Sequence, residues 1–386
     1  MTELKEEELI KIRRHLHQIP ELALHEVETH AYLMKVIQAM NQEHLEVKEF
    51  EELPTALMVL VHGSQPERTI GYRTDIDALP VEEKTGLPYK STHPGVMHAC
   101  GHDIHMTVAL GVLSYFSEHQ PKDNLLFFFQ PAEESEAGGK RAYELGLFKG
   151  QWKPDEFYGL HDNPELPAGA IGCRMGTLFA GTTEVNIDIE GKGGHAAFPQ
   201  DANDAVVAAA NLIVQVQTII SRSIDPIDSG VITLGKITAG TIRNVIAGHA
   251  RIEGTIRGLT QDMILLIDKR LQEVCNGIEA SFGVKVTLGL NQGGYWPVEN
   301  NPKLTKRFIQ YMSDAKNVNF IETKPAMTGE DFGYLLAKFP GTMFWLGVED
   351  DSQLHSATLT PKESSIKRGI DAITGFLEYR MNAKEE

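Results

Sequence analysis

Cysteine is scarce in this chain: Cys100, Cys173 and Cys275 are its three in 386 residues. They are too few and too scattered for a disulfide framework, so no staple of that kind organises the fold. Cys173 and Cys275 read as small buried residues. Positive charge is also short, with 36 Lys and Arg against 53 Asp and Glu and a formal net charge of -17. That balance argues against nucleic acid or an anionic membrane surface as the main partner, since both reward clustered cations. Long apolar runs are lacking as well. The opening MTELKEEELIKIRRHLHQ has no apolar core of signal-peptide length, and no later run is expected to reach membrane-spanning length. A soluble, cytoplasmic protein is the expectation. No internal repeat or low-complexity segment appears. What the chain does have is 42% hydrophobic residues, in a length that allows two domains and a sizeable core.

Apolar spacing predicts helices over Glu6 to His17 and Thr29 to Met40. The β-rich runs ALMVLVHG and TIGYRTDIDAL follow, then a helix from Met106 to His119, the fully apolar strand NLLFFFQ and a helix from Glu136 to Leu147. Strands apolar along their whole length are covered on both faces, which predicts an α/β fold: a mostly parallel mixed sheet flanked by helices, with active residues at strand ends. After about Gly176 the pattern becomes βαββαβ, from TTEVNIDIEG through VKVTLGL. That order predicts an inserted ferredoxin-like domain over 177–294 inside a discontinuous α/β domain of 1–176 and 295–386. The return carries a helix near Leu304 to Ser313, the strand TMFWLGV and a last helix from Pro361 to Met381.

The densest chemistry lies in HACGHDIHM, His98 to Met106. Cys100 and His102 stand two apart, so on a turning backbone both can face one metal ion, and Gly101 permits the turn. A buried thiol beside a satisfied histidine fits that window equally well. His105, a helical turn beyond His102, reads as a residue facing core or solvent. After NLLFFFQ, the loop PAEESEAGG presents Glu133 and Glu134. One carboxylate can bind metal while its neighbour moves a proton; an acidic loop or helix start is the plainer reading. His161 ends the strand-like DEFYGLHDN, and His355 follows another strand in GVEDDSQLHSATLT. Together these give one Cys, three His and one Glu, each at the end of a buried segment or in the loop after it.

Seven stretches then carry a resemblance in order: RTDIDALP, HACGHDIHM, QPAEE, GLHDNPELP, GKGGHAAFP, TGEDF and LHSATLTP. The chain resembles the amidohydrolase, aminoacylase-like branch of the co-catalytic metallopeptidase M20 superfamily, over nearly its whole length. GYRTDIDALPVEEKTGLPY and GVMHACGHDIHMTVALGVL are most similar to deacetylases of an N-acetylated diamino dicarboxylic acid on the route to lysine. Broader cleavage of hippurate-like or auxin-like N-acyl amino acids, or a catalytically idle relative that binds metal or amino acid, are the other readings. The resemblance implies two divalent metal ions per subunit (Zn, Mn, Co or Ni), with Cys100 bridging, His102 and Glu134 on one ion and His161 and His355 on the other. Glu133 becomes the general base. Asp75 matches an aspartate that in relatives follows a ligand histidine by two residues; here Arg73 holds that earlier position and cannot ligate, so Asp75 is expected to orient His102. His195 matches a histidine that reaches the partner subunit's active site, and Asn244 and Arg257 match residues that hold the substrate carboxylate. By residue type alone, His195 is equally a surface histidine and Arg257 a solvated strand-face charge. The free edge of a βαββαβ sheet further predicts a homodimer through the inserted domain.

Overall fold

The computed structural model describes residues 3–383. They form two compact units: the first takes the chain up to Leu178, then Glu299–Lys324 and from Tyr334 onward, while the second takes Phe179–Val298 with Pro325–Gly333. The first unit runs α1 (Glu6–Gln18), α2 (Val27–Gln38), β1 (Leu45–Glu49), β2 (Leu57–Val61), β3 (Thr69–Asp75), α3 (His102–Glu118), β4 (Asn124–Gln130), α4 (Glu133–Glu136), α5 (Gly138–Glu144), β5 (Glu156–Asn163) and β6 (Ala170–Cys173). The second holds β7 (Gly181–Glu190), β8 (Gly194–His195), α6 (Ala205–Ser223), β9 (Gly230–Ala239), β10 (Val245–Ile246), β11 (His249–Gly258), α7 (Gln261–Phe282) and β12 (Lys285–Asn291). The chain returns through α8 (Pro302–Asp314), β13 (Asn319–Glu322), α9 (Phe332–Leu336), β14 (Gly341–Gly347) and α10 (Ser364–Asn382). The TGEDF segment, expected in the α/β domain, therefore lies wholly within the second unit.

The first unit is built on an eight-stranded sheet of order β1-β2-β4-β3-β5-β14-β6-β13. Its centre, β4 through β3 and β5 to β14, is parallel, whereas β1, β2 and the β14–β6 pair run antiparallel. Strands β2, β3 and β14 are buried at every position, as a sheet covered on both faces requires. Each Phe of the Phe127–Phe129 run is fully buried, which favours the fold by about 1.5–3 kcal/mol per side chain. Helix α3 is buried on nearly every face and packs among α1, α10 and the sheet, the pattern of a helix enclosed all round.

The second unit is an antiparallel sheet, β12-β7-β11-β9, packed against α6 and α7 through one core. Asp204 caps α6 by accepting from the N–H groups of Val206 and Val207, Thr260 caps α7, and Gly283 ends α7 in the left-handed conformation. One expectation fails here. Helix α6, 19 residues long, is apolar enough to cross a membrane by length and composition. It buries Ala205, Ala208, Leu212, Val216 and Ile219 against the sheet and leaves Val206, Val207 and Val214 exposed.

Candidate active site

Strands β3, β4, β5 and β14 run parallel, so their C-terminal ends share one edge of the sheet. Asp75 closes β3, with Asp77 two residues on; Glu133 and Glu134 follow β4; His161 and Asp162 lie near the end of β5; His355 follows β14. Helix α3 also starts at this edge. It begins at His102, a turn earlier than the apolar pattern suggests, because Gly101 takes the left-handed conformation as its N-cap. A Cβ on Gly101 would stand 2.4 Å from Asp162 Oδ2, so only glycine lets the turn close with Cys100 on one side and His102 on the other.

The donor atoms meet around Cys100. Its Sγ lies 3.5 Å from His161 Nε2 and 3.3 Å from His355 Nε2. His102 Nε2 stands 3.8 Å from Glu134 Oε1, and His355 Nε2 stands 3.6 Å from Glu134 Oε2. Cys100 groups with His102 and His161, and again with Glu134 and His355, each triad within 4.8 Å. These triads group His161 with His102 and His355 with Glu134, a different grouping from the one the resemblance implies. The reason is topological, since β14 pairs β5 but the loop after it brings His355 back to Cys100, where the His355 N–H donates to Ala99 O at 2.7 Å.

The site fits divalent metal on its own geometry. His102 Nε2 and Glu134 Oε1 are buried without hydrogen-bond partners, an arrangement that costs free energy unless a cation accepts both lone pairs. Two of the three imidazoles have the other nitrogen fixed: His102 Nδ1 donates to Asp77 O at 2.8 Å, and His161 Nδ1 donates to Asp162 O at 2.8 Å. Both therefore present Nε2 inward. Burial first, then Glu134, Asp162 and Glu133, push the Cys100 thiol well above its ordinary value, so a thiolate there requires a positive neighbour. Glu133, buried, groups with His102 and Glu134.

Behind the donors runs a charged chain that sequence reasoning did not find. Arg73, fully buried, donates to Asp75 Oδ2 at 2.7 Å and to Gln130 Oε1 at 3.0 Å. His105 donates from Nδ1 to Asp75 Oδ1 at 2.6 Å, and its Nε2 lies 3.1 Å from Asp162 Oδ1. Burial alone would lower His105, but Asp75 and Asp162 raise it to about 9. Burial likewise opposes ionisation of Asp75, yet His102, His105 and Arg73 hold it well below the usual carboxylate range. Asp75 thus hydrogen-bonds His105, not His102 as expected; it sits 3.8 Å from His102 Nε2, and Asp77 orients that ring instead. His105 is a buried linker rather than a bystander. Its spacing of one helical turn from His102 places it near the site but does not reveal its partners.

In the second unit, β8 pairs β10 with Val245 opposite His195, and Ala196 N donates to Asn244 O at 3.2 Å. His195 and Asn244 are thereby neighbours, and both are exposed. Arg257 sits elsewhere. It pairs with Thr182 across β11 and β7 and donates to the Thr182 hydroxyl; burial lowers it from its ordinary value. His195 lies beyond the far end of β7, past Glu190. The span from Thr182 to Glu190 alone is about 27 Å of strand.

The family described as peptidase family M20/M25/M40 matches residues 71–379. An N-acetyldiaminopimelate deacetylase of Limosilactobacillus reuteri (strain DSM 20016) is 82% identical over 378 residues, covering 98% of this chain and 99% of that protein. One of the same name from Lactobacillus acidophilus is 76% identical over 99% of this chain and all of its own length. A structure from methicillin-resistant Staphylococcus aureus superposes with a TM-score of 0.91 at 32% identity, covering 97% of each chain. The Bacillus subtilis YXEP protein, described as a dinuclear metal binding peptidase from the M20 family, superposes with a TM-score of 0.86 at 28% identity over 98% of this chain and 99% of its own. With the family match spanning most of its length and relatives of this identity covering nearly all of it, the chain belongs to peptidase family M20/M25/M40.

Proposed function

We propose that the chain hydrolyses the acetyl amide of N-acetyl-LL-diaminopimelate, releasing LL-diaminopimelate and acetate in lysine and diaminopimelate biosynthesis. The observation that carries the substrate is the 82% identity, across 98% of the chain, to a deacetylase of that name. The chemistry is supported independently by Glu133 beside five donors at one sheet edge.

Cys100, His102 and His161 would hold one divalent ion, and Cys100, Glu134 and His355 a second. Metal held there acidifies water and polarises the amide carbonyl. The mixed thiolate, imidazole and carboxylate set suits Zn, Mn, Co or Ni better than Mg or Ca. Glu133 takes the proton from the attacking water and returns it to the departing amine nitrogen, the task of a general base that becomes a general acid. An idle relative would have no use for that carboxylate. Arg257 and Asn244 supply donors for the substrate carboxylate, and His195 a donor for the reacting carbonyl.

Within one chain Arg257 stands at the opposite end of β7 from the neighbours His195 and Asn244, and an N-acetylated amino acid is far shorter than that strand. For both ends to serve one substrate, they would come from different chains, so the working unit is a homodimer through the second unit. Its setting is the cytoplasm, where three buried, unpaired cysteines stay reduced.

Acetate release from N-acetyl-LL-diaminopimelate, N-acetyl-methionine and hippurate by one preparation tests this reading. The expected kcat/KM favours the first substrate by at least about tenfold, because a site built for a second carboxylate and an ammonium leaves its polar groups unpaired with the others. Equal or greater turnover of hippurate would select the broader amidohydrolase, and no turnover of any would select the idle relative.

A further inference from the structure

The loop before α2 is arranged at a cost. Leu24 adopts the left-handed conformation, φ 63°, unfavourable for a branched side chain. Glu26 occupies the N-cap of α2 yet makes no capping hydrogen bond. Glu21 does that work instead, accepting from Glu28 N at 3.1 Å and Thr29 N at 2.8 Å. The Glu26 carboxyl is thereby released to turn inward, where it is fully buried. Its Oε1 accepts from Ala132 N at 2.8 Å, and its Oε2 has no hydrogen-bond partner.

Ala132 is itself left-handed, φ 59°, and directly precedes Glu133. On the other side of Glu133, the Glu134 N–H donates to Asp77 Oδ2 at 2.9 Å. The N–H groups of the two residues on either side of Glu133 are thus each held by a buried carboxyl group, one from the start of α2 and one from the segment after β3. Burial and then the charge of Asp77 push Glu26 up to about 7, so near neutral pH it carries a proton much of the time, and a glutamine there would mimic the protonated acid.

We propose that Glu26 is a positioning residue for Glu133: by gripping the Ala132 amide in its left-handed turn, it fixes the backbone that aims the Glu133 carboxylate. This rests on the proposed role of Glu133 as base. Among the described residues Glu26 is the one acceptor that meets the Ala132 N–H; without it the turn relaxes toward ordinary backbone conformations, and the base drifts from its productive geometry.

The test is a set of variants of the metal-loaded enzyme, assayed for deacetylation and for bound metal. Glu26→Gln keeps the acceptor for Ala132 and should retain kcat within about twofold of wild type, as a neutral mimic that preserves preorganisation. Glu26→Asp keeps the carboxyl but shortens its reach, and Glu26→Ala removes it. Both should lose kcat by about 10- to 100-fold, the penalty of a misplaced catalytic group, with KM and metal content unchanged. If Glu26→Ala is insoluble, the contrast between Gln and Asp decides alone. Full activity of Glu26→Asp, or a loss in Glu26→Gln as deep as in Glu26→Asp, overturns the proposal; so does a loss of activity that only follows lost metal. Glu133→Gln is assayed alongside. Undiminished turnover there sinks the base assignment itself, whereas a dead Glu133→Gln beside an unimpaired Glu26→Asp overturns only the positioning role.

Discussion

At the scale of single residues, Glu133 and Glu134 are adjacent but divide their work, and substitution should separate them. Glu133→Gln should keep its metal yet lose about 100- to 10,000-fold in kcat, the span of a general acid–base contribution. Glu134→Gln should instead lower metal occupancy, because Glu134 Oε1 is one of the two orphaned buried donors. Elemental analysis of both purified proteins beside their turnover checks the division, and a Glu133→Gln protein of near-normal activity would refute it. Cys100 offers a second test. Ligation should shield its sulfur from alkylation, and chelation should open it, with labelling that quickens at alkaline pH because burial and its acidic neighbours keep the thiol protonated. Cys173 and Cys275, which burial pushes up to about 12 and about 11, should not respond to chelator. Equal labelling of Cys100 with and without chelator would remove it from the ligand set. The five donors were legible in sequence because each is a ligating residue type next to a strand or turn signal. Glu26, Asp77, His105 and Asp162 were not, since what they do depends on partners far along the chain: His105 meets Asp75 from 30 residues away, and Glu26 meets Ala132 from 106. No local pattern encodes such a contact.

Among the elements, α1 and α3 are joined by a buried ionic cluster next to the metal donors. Arg13 Nε lies 2.9 Å and His17 Nδ1 2.8 Å from Asp103 Oδ2, while His17 Nε2 lies 3.3 Å from Glu83. Removing one partner strands a buried charge, so Arg13→Met should destabilise the protein by about 3 kcal/mol in denaturant titration. His17 gives the cluster a pH dependence. Burial alone would lower its pKa, but Asp103 and Glu83 together outweigh burial and the net shift is upward. The folded state then binds the proton more tightly than the unfolded state. The stabilisation is therefore fully present below the ordinary histidine pKa of about 6.5 and lost as pH rises through the higher folded value. The stability difference between wild type and His17→Gln, measured with metal bound, should shrink from pH 6 upward; a difference that grows with pH would reverse the assigned shift. The elements themselves were mostly legible where apolar periodicity is strong, as in β2, β4, α6 and α7. Strand β1, an edge strand with only partial burial, and the four-residue β6 and β13 carry too little pattern to register, because such short strands take their conformation from the neighbours they pair with. The start of α3 was misplaced for a related reason: its first turn is polar and functional, and Gly101, not an apolar residue, marks where it begins.

For the whole molecule, the second unit presents the surface on which assembly would depend. Strand β9 forms one edge of its sheet and leaves Val231 and Ile237 exposed, while α6 exposes Val206, Val207 and Val214. A long free edge with apolar side chains invites pairing with another chain. The ladder of β7 and β11 adds a functional reason, because it separates His195 from Arg257 within one chain by more than a small substrate can span. Two inactive variants should then rescue each other. His195→Ala and Glu133→Gln proteins, each inactive alone, are mixed under conditions of subunit exchange. A mixed dimer has one site with an intact Glu133 and an intact His195 from its partner, while its other site lacks both. Random pairing makes about half the dimers mixed, each with one working site of two, so activity should return to roughly a quarter of wild type per site. Native mass spectrometry reports whether exchange has occurred. Exchange without recovery would place His195 with the Glu133 of its own chain, and a fully active His195→Ala protein would take it out of catalysis.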